Sequence, residues 1–338
     1  MEPLAYLALG AVPGLLIVLG FLVLHLITPT VKRRKQDYLL DRTAYNPDGV
    51  EDVKFGKLYK ESKDGLQSTN ADIYVSIIVP AMNEEERLPI MIEEAVAYLD
   101  TRQTEAQFTW EIIVVDDGSK DNTADVAFSY SKKLNNPNGE IRVLKLPQNV
   151  GKGGAVRFGV SVSRGQMILF ADADGATKFS EFEKLENELF KLCSDGEYFE
   201  YNYPAIAIGS RAHLEAEAIA ERSIFRTILS KGFQFLVYFF GVKGIKDTQC
   251  GFKLFSRAAA AKLFPLLHIE RWAFDVELLY LAEREGFDMV EVAVNWHEVD
   301  GSKITPVLSW IQMGRDILLM WFRYTFGLWT GPYYVVKV

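Results

Sequence analysis

The chain has 338 residues, 49% apolar and 13% aromatic, with 24% charged side chains and a formal net charge of −8. That is too apolar for a disordered chain, and an acidic body lacks the basic face that non-specific nucleic-acid binding needs, so any phosphate must meet a few local cations or a metal. Two cysteines, Cys193 and Cys250, exclude a disulfide framework and a Cys-rich zinc site, and no Asn-x-Ser/Thr occurs; both fit a body facing a reducing compartment.

Pro3 to Val31 contains no Asp, Glu, Lys or Arg, and the run ends in Lys32-Arg33-Arg34-Lys35. Roughly 28 helical residues span about 42 Å, more than the hydrocarbon core of a bilayer. The positive charge follows the run, opposite to a cleaved signal peptide, so residues 1–36 read as one transmembrane anchor with a basic cytosolic flank. Residues 37–72 are polar, turn at Asn46-Pro47-Asp48-Gly49, and read as a linker or peripheral flap.

From Ile73 strand and helix alternate. Strands are expected at Tyr74–Val79, Trp110–Val115, Ile141–Leu146, Gln166–Ala171 and Ala205–Ile208. Helices are expected at Glu84–Leu99, from Thr123 with Asn122 as cap, at Gly153–Ser163 and at Phe179–Leu192. This pattern predicts an α/β, Rossmann-like fold with a mostly parallel sheet, whose ligands bind beyond the carboxyl ends of the strands. The body is expected to run over 73–305, with a C-terminal amphipathic membrane-associated helix and tail over 306–338.

Polar residues gather at those strand ends: Asn83 and Glu84, then Asp116-Asp117-Gly118-Ser119, then Asp172 and Asp174, then Ser210 and Arg211. Asp172-Ala173-Asp174 leaves a buried strand with both carboxylates facing one way, a partial shell for a hard divalent cation that a diphosphate would complete. Asp116 and Asp117 read either as contacts to a ribose or base or as a helix cap. Asn149-Val150-Gly151-Lys152-Gly153-Gly154 is a glycine-rich turn whose amides and Lys152 suit a diphosphate, without the Walker A spacing. Arg222–Gly241 has helical spacing, a polar stripe of Arg222, Arg226, Ser230 and Gln234, and an aromatic remainder suited to the headgroup layer of a bilayer. Val307–Trp329 is a second amphipathic run, too charged to span, and Lys303 precedes it as a possible phosphate contact.

Val75–Leu88, Val114–Ser119, Gly151–Gly154 and Asp172–Gly175 together resemble the signature of the GT-A-fold inverting glycosyltransferases of family 2. Gly209-Ser210-Arg211, Asp247-Thr248-Gln249-Cys250-Gly251-Phe252-Lys253 and Arg271–Leu279 narrow the resemblance to its polyprenyl-phosphate branch, over about residues 1–305. With the single anchor, they look like the group that glucosylates dolichyl phosphate at the endoplasmic reticulum of eukaryotes.

The resemblance implies inverting transfer from UDP-glucose to dolichyl phosphate for N-glycan precursor assembly, on the cytosolic side of that membrane. It implies Pro80, Asn83, Glu84, Asp116, Asp117, Lys152 and Asp172 at the nucleotide sugar, and Asp172 and Asp174 at Mg2+ or Mn2+. Arg211, Arg226, Ser230 and Lys303 would meet the acceptor phosphate, and Asp275 matches the base position of the wider family. Related mannosyltransferases carry a Gln ligand where this chain has Ala176, so coordination is expected to lean on diphosphate, water or another side chain, His297 being one candidate. The alternatives are mannosyl transfer from GDP-mannose and a processive polysaccharide synthase. The second is disfavoured by one span and by His268-Ile269-Glu270-Arg271-Trp272, which lacks the Gln of the Gln-x-x-Arg-Trp motif. The sequence leaves the oligomeric state open.

Overall fold

The computed structural model describes residues 18–26, 28, 37, 42–48, 54–63, 65–104, 108–194, 199–214, 224–299, 301, 308–329 and 335–337. For Gly65, residues 224–230, Leu308 and residues 335–337 the description covers the backbone alone.

Two short strands, β1 (Tyr59–Ser62) and β2 (Gly65–Ser68), pair antiparallel. The alternating body follows as β3 (Ile73–Ala81), α1 (Leu88–Thr101), β4 (Trp110–Asp116), α2 (Thr123–Lys133), β5 (Gly139–Lys145), α3 (Lys152–Ser161), β6 (Gly165–Ala171), α4 (Phe182–Cys193) and β7 (Ala205–Ser210). Then come α5 (Ile224–Phe240), β8 (Phe252–Ser256), α6 (Arg257–Leu263), α7 (Phe274–Arg284), β9 (Asp288–Ala293), α8 (Leu308–Thr325) and β10 (Val335–Lys337), the last parallel to β2.

The main sheet has seven strands in the order β5-β4-β3-β6-β8-β7-β9. Every ladder is parallel except the two that β8 makes, with β6 and β7. Strand β3 shows why the sheet is buried on both faces. Its Ile78 packs into one apolar layer with Ile113, Ile168 and Phe170, while Val75, Ile77 and Val79 pack into the other with Ile112 and Leu169. Side chains alternate across a strand, so continuous Val and Ile feed two layers at once.

Three local features depart from the sequence expectations. Helix α1 begins at Leu88 rather than Glu84, because Glu84 closes a turn instead: its carbonyl accepts from the amides of Arg87 and Leu88 at 3.1 and 2.9 Å. Asn122 makes no side-chain cap on α2; Asp121 Oδ1 accepts from the Thr123 amide at 3.0 Å, and the Asn122 side chain donates to Glu85. The polar stretch 37–72 contributes to the core, since Leu58, Tyr59 and Leu66 are fully buried. Three apolar side chains scattered through polar sequence carry no periodic signal of that burial.

Residues 18–26 are helical and lie against α8. The rings of Phe21 and Phe322 stack at 5.0 Å, and Arg323 Nη2 donates to the Thr28 carbonyl at 2.7 Å. Among the described residues no helix is long and apolar enough to cross a membrane. Most of the expected anchor, residues 1–17, 27 and 29–36, lies outside the described residues.

Candidate functional site

A cavity of about 1390 Å³ opens at the carboxyl ends of β3 and β6, where the order of the sheet reverses direction around β3. That is the switch point at which open α/β sheets bind ligands. Its wall includes Pro80, Glu84, Asp117, Lys152, Asp172, Asp174, Arg211 and Asp275, eight residues singled out by sequence and brought together by the fold.

The β3 and β4 ends hold one another. Asn83 has φ 54°, the one positive value at a non-glycine residue among the described residues, and its side chain accepts from the Lys120 amide at 2.8 Å. Its own amide donates to Ser119 Oγ at 2.9 Å, so Asn83 ties the two loops together and lies outside the cavity wall. Glu84 is gripped by both prongs of Arg87, at 2.7 and 2.6 Å. Asp116 is fully buried behind the wall; Oδ1 accepts from the Ser119 amide at 3.0 Å, and Oδ2 has no hydrogen-bond partner among the described residues. Asp117 accepts from the amides of Val150 and Gly151 at 2.7 and 2.9 Å and from Asn149 Nδ2 at 2.8 Å. Burial pushes its carboxyl above the ordinary range, against those amides. Asp117 therefore fastens the glycine-rich turn to β4. Gly151 takes φ 90°, and a Cβ there would sit 2.5 Å from the Glu270 carbonyl, so the turn needs glycine.

Lys152 leads into α3 and pairs with Asp172 Oδ1 at 2.7 Å. Burial alone lowers a lysine, yet Asp172, Asp275 and Asp174 outweigh it and hold the ammonium above its ordinary value. Asp174 accepts from the Ala176 amide at 3.1 Å, and burial and Asp172 raise its carboxyl. Asp172 is seated by Gly251: its amide donates to the Gly251 carbonyl at 3.0 Å, and a Cβ on Gly251 would lie 2.0 Å from Asp172 Oδ2. The space beside Gly251 is thus shaped to the carboxylate. Two adjacent carboxylates on a cavity wall, one already answered by a cation, are a donor set suited to a hard divalent ion with diphosphate oxygens as further ligands. No third His, Cys, Asp or Glu joins them among the described residues. His297 in particular is exposed, is not part of the wall, and contributes its amide to the Ala176 carbonyl at 2.9 Å.

Just past the carboxyl end of β7, Arg211 lines the cavity but is not a bare cation. Its Nε and Nη2 donate to Asp247 at 2.7 and 2.9 Å, and its amide donates to Asp247 Oδ2 at 2.9 Å. That bond and charge overcome burial and raise the guanidinium, while Arg211 correspondingly holds the buried Asp247 carboxyl below its ordinary range. Asp275, in the first turn of α7, accepts from Lys253 Nζ at 2.6 Å. From α5, Phe233, Gln234, Val237 and Tyr238 face the cavity, while Phe235 and Phe239 are exposed. Arg226 and Ser230 fall where only the backbone of α5 is described, and Lys303 lies outside the described residues.

Sequence reading did not single out Arg87, Trp272 or Trp296, which line the cavity, nor Lys253 beside it, and gave the lining residue Asp247 no role of its own. The signal available for Lys253 was one lysine inside the apolar strand Phe-Lys-Leu-Phe; the others carry no local signal.

Residues 76–264 match the profile of Glycosyl transferase family 2. A dolichyl-phosphate beta-glucosyltransferase of Drosophila melanogaster is 52% identical over 302 residues, 89% of this chain and 86% of the relative. Its Homo sapiens counterpart is 53% identical over 282 residues, 82% of this chain and 85% of that one, and the Saccharomyces cerevisiae enzyme 45% over 260 residues, 76% and 77%. Among solved structures, mannosyl-3-phosphoglycerate synthase from Rubrobacter xylanophilus superposes with a TM-score of 0.50 at 17% identity, covering 76% of each chain, which is a likeness of fold. The fold, the cavity at the switch point and these relatives agree: the chain belongs to glycosyl transferase family 2, in its dolichyl-phosphate beta-glucosyltransferase branch.

Proposed function

We propose that the chain transfers glucose from UDP-glucose to dolichyl phosphate, with inversion, giving dolichyl β-glucosyl phosphate and UDP. The observation that carries this reading is the identity of 52% and 53% to enzymes of that name over more than four fifths of the chain. The cavity supports it by bringing a carboxylate pair, an adjacent lysine and a partly buried arginine to one wall lining.

The chemistry follows from charge. A phosphate monoester has a second pKa near 6, so the acceptor is already an anion at neutral pH and needs little help from a general base. The protein's task is to hold two anions together. An acceptor phosphate oxygen attacks the anomeric carbon opposite the diphosphate, the new C–O bond forms as the bond to UDP breaks, and UDP leaves with the electron pair. Asp172 and Asp174 would hold Mg2+ or Mn2+, which when bound neutralises charge on the donor diphosphate and on departing UDP. Lys152, 2.7 Å from Asp172, adds a cation on the same side. The acceptor phosphate falls to Arg211, positioned by Asp247, and, as the family resemblance implies, to Arg226, Ser230 and Lys303. Glu84, with Arg87, and Asp117, through the turn it fastens, shape the nucleotide end beside Pro80.

The site belongs at a membrane surface. Exposed Phe235, Tyr238 and Phe239 on α5, Ile311 on α8, and Leu19, Leu22 and Leu26 on the helical stretch 18–26 offer apolar side chains for a bilayer that holds the lipid acceptor. We place the chain at the endoplasmic reticulum membrane, anchored by residues 1–36, with the catalytic body on the cytosolic side. A panel of UDP-glucose, GDP-mannose and UDP-GlcNAc, each with dolichyl phosphate, tests the reading. Product from UDP-glucose is expected; product from GDP-mannose alone overturns it.

A further inference from the structure

We propose that Lys253, which does not reach the cavity, is a positioning residue for the transfer, holding the Asp275 carboxyl in one orientation at the cavity wall. Lys253 lies in the middle of the sheet, opposite Phe170 of β6 and Ile208 of β7, with its side chain fully buried. A buried ammonium is costly, and an apolar side chain of similar volume would serve packing as well or better. The cost is offset here by two close acceptors: Asp275 Oδ1 and the Cys250 carbonyl, each at 2.6 Å. The antiparallel course of β8 brings this about. It places the amino end of β8 at the same edge as the carboxyl ends of β6 and β7, beside Gly251 and the seat of Asp172.

Asp275 is the wall residue of the pair. It is buried to 3% exposure, lies in the first turn of α7, and lines the cavity together with Lys152 and Asp172. The groups facing it are Lys253 from β8, Lys152 from α3 and Asp172 just past the end of β6. Burial, with Asp172, holds its carboxyl above the ordinary range, against the pull of Lys253 and Lys152. Lys152 is already engaged by Asp172 at 2.7 Å, which leaves Lys253 as the cation bonded to Asp275. The result is an alternation of charge beneath the site, Lys253, Asp275, Lys152, Asp172, in which the member remote from substrate orients the one at the wall.

This inference rests on the transfer activity proposed above. The test is steady-state kinetics of the full chain in detergent with UDP-glucose and dolichyl phosphate, for wild type, K253M, K253R, D275N and K253M/D275N, with thermal unfolding alongside. Misplacing a wall group by about 1 Å costs on the order of 10²-fold. That loss is expected in kcat for K253M, with both KM values unchanged, and K253R is expected to recover most of it. In the D275N background, K253M is expected to add nothing. If K253M does not fold, the comparison of K253M/D275N with D275N decides alone: equal kcat supports the inference and a further loss overturns it. Folded K253M with wild-type kcat, or losses that multiply in the double variant, overturns this inference alone. A wild-type chain inactive on every donor overturns the functional reading and this inference with it.

Discussion

Gly251→Ala tests the seat of the carboxylate pair directly. The added Cβ would lie 2.0 Å from Asp172 Oδ2, 2.3 Å from Cγ and 2.7 Å from Oδ1. Restoring ordinary contact at 3.4 Å requires a displacement of about 1.4 Å. The backbone has little freedom to supply it, because the Asp172 amide is bonded to the Gly251 carbonyl at 3.0 Å and the neighbours Ala171 and Phe252 are paired in the ladder. The carboxylate must therefore yield. Its side chain is 32% exposed toward the cavity, so it can rotate away. The penalty to folding is then that of an off-rotamer side chain, about 1 kcal/mol. The penalty to activity is larger: a shift of more than 1 Å at a positioning group costs on the order of 10²-fold, or about 2.7 kcal/mol of transition-state stabilisation. The assay is kcat at saturating Mg2+ or Mn2+, with Mn2+ affinity by electron paramagnetic resonance and thermal unfolding as the folding control. A stably folded G251A protein with wild-type kcat and wild-type Mn2+ affinity would refute the argument that this glycine seats Asp172.

Asp174→Asn is expected to abolish transfer and Mn2+ binding while UDP-glucose binding survives in part; full activity of wild type in excess EDTA contradicts the metal assignment. Arg211→Ala leaves Asp247 without its guanidinium, and because the pair is only partly exposed, at 29% and 12%, the expected loss of stability is about 2 kcal/mol. The pH dependence has a definite sign. Asp247 is held below its ordinary value of 3.8, so its contribution is present above that pH and is lost as pH falls through the lowered folded value. The stability gap between wild type and R211A should therefore be wide at neutral pH and narrow on acidification, and a gap as wide at about pH 2 as at about pH 7 refutes the pairing. Arg226→Ala is expected to raise KM for dolichyl phosphate about tenfold, the scale of one lost charge-assisted hydrogen bond, with donor KM unchanged; unaltered acceptor kinetics remove it from the acceptor site.

Much of the site was legible because local sequence determines where a strand ends. Apolar runs define β3, β4 and β6, and the polar residues that follow them, among them Glu84, Asp117, Asp172 and Asp174, must fall at one edge once those strands run parallel. The glycines of the 149–154 turn likewise announce a tight turn before α3 by composition alone. Asn83 and Asp116 share that edge but lie outside the cavity wall: Asn83 joins the β3 and β4 loops, and Asp116 is fully buried with Oδ1 on the Ser119 amide.

What local pattern could not carry is which charge answers which. Arg211 and Asp247 are 36 residues apart, Lys253 and Asp275 are 22 apart, and Lys152 meets Asp172 across two different elements. The Lys253 pairing exists because β8 turns back against β6 and β7, a reversal that a five-residue buried strand does not signal in advance. The role of Gly251 is of the same kind, for its missing side chain matters only once Asp172 is packed into that space. The sequence by itself determined the alternating α/β layers and the acidic strand ends, since burial and turn formation act over a few residues. Only the tertiary structure decided the partners, since an ion pair in a buried wall depends on distance through space and not along the chain.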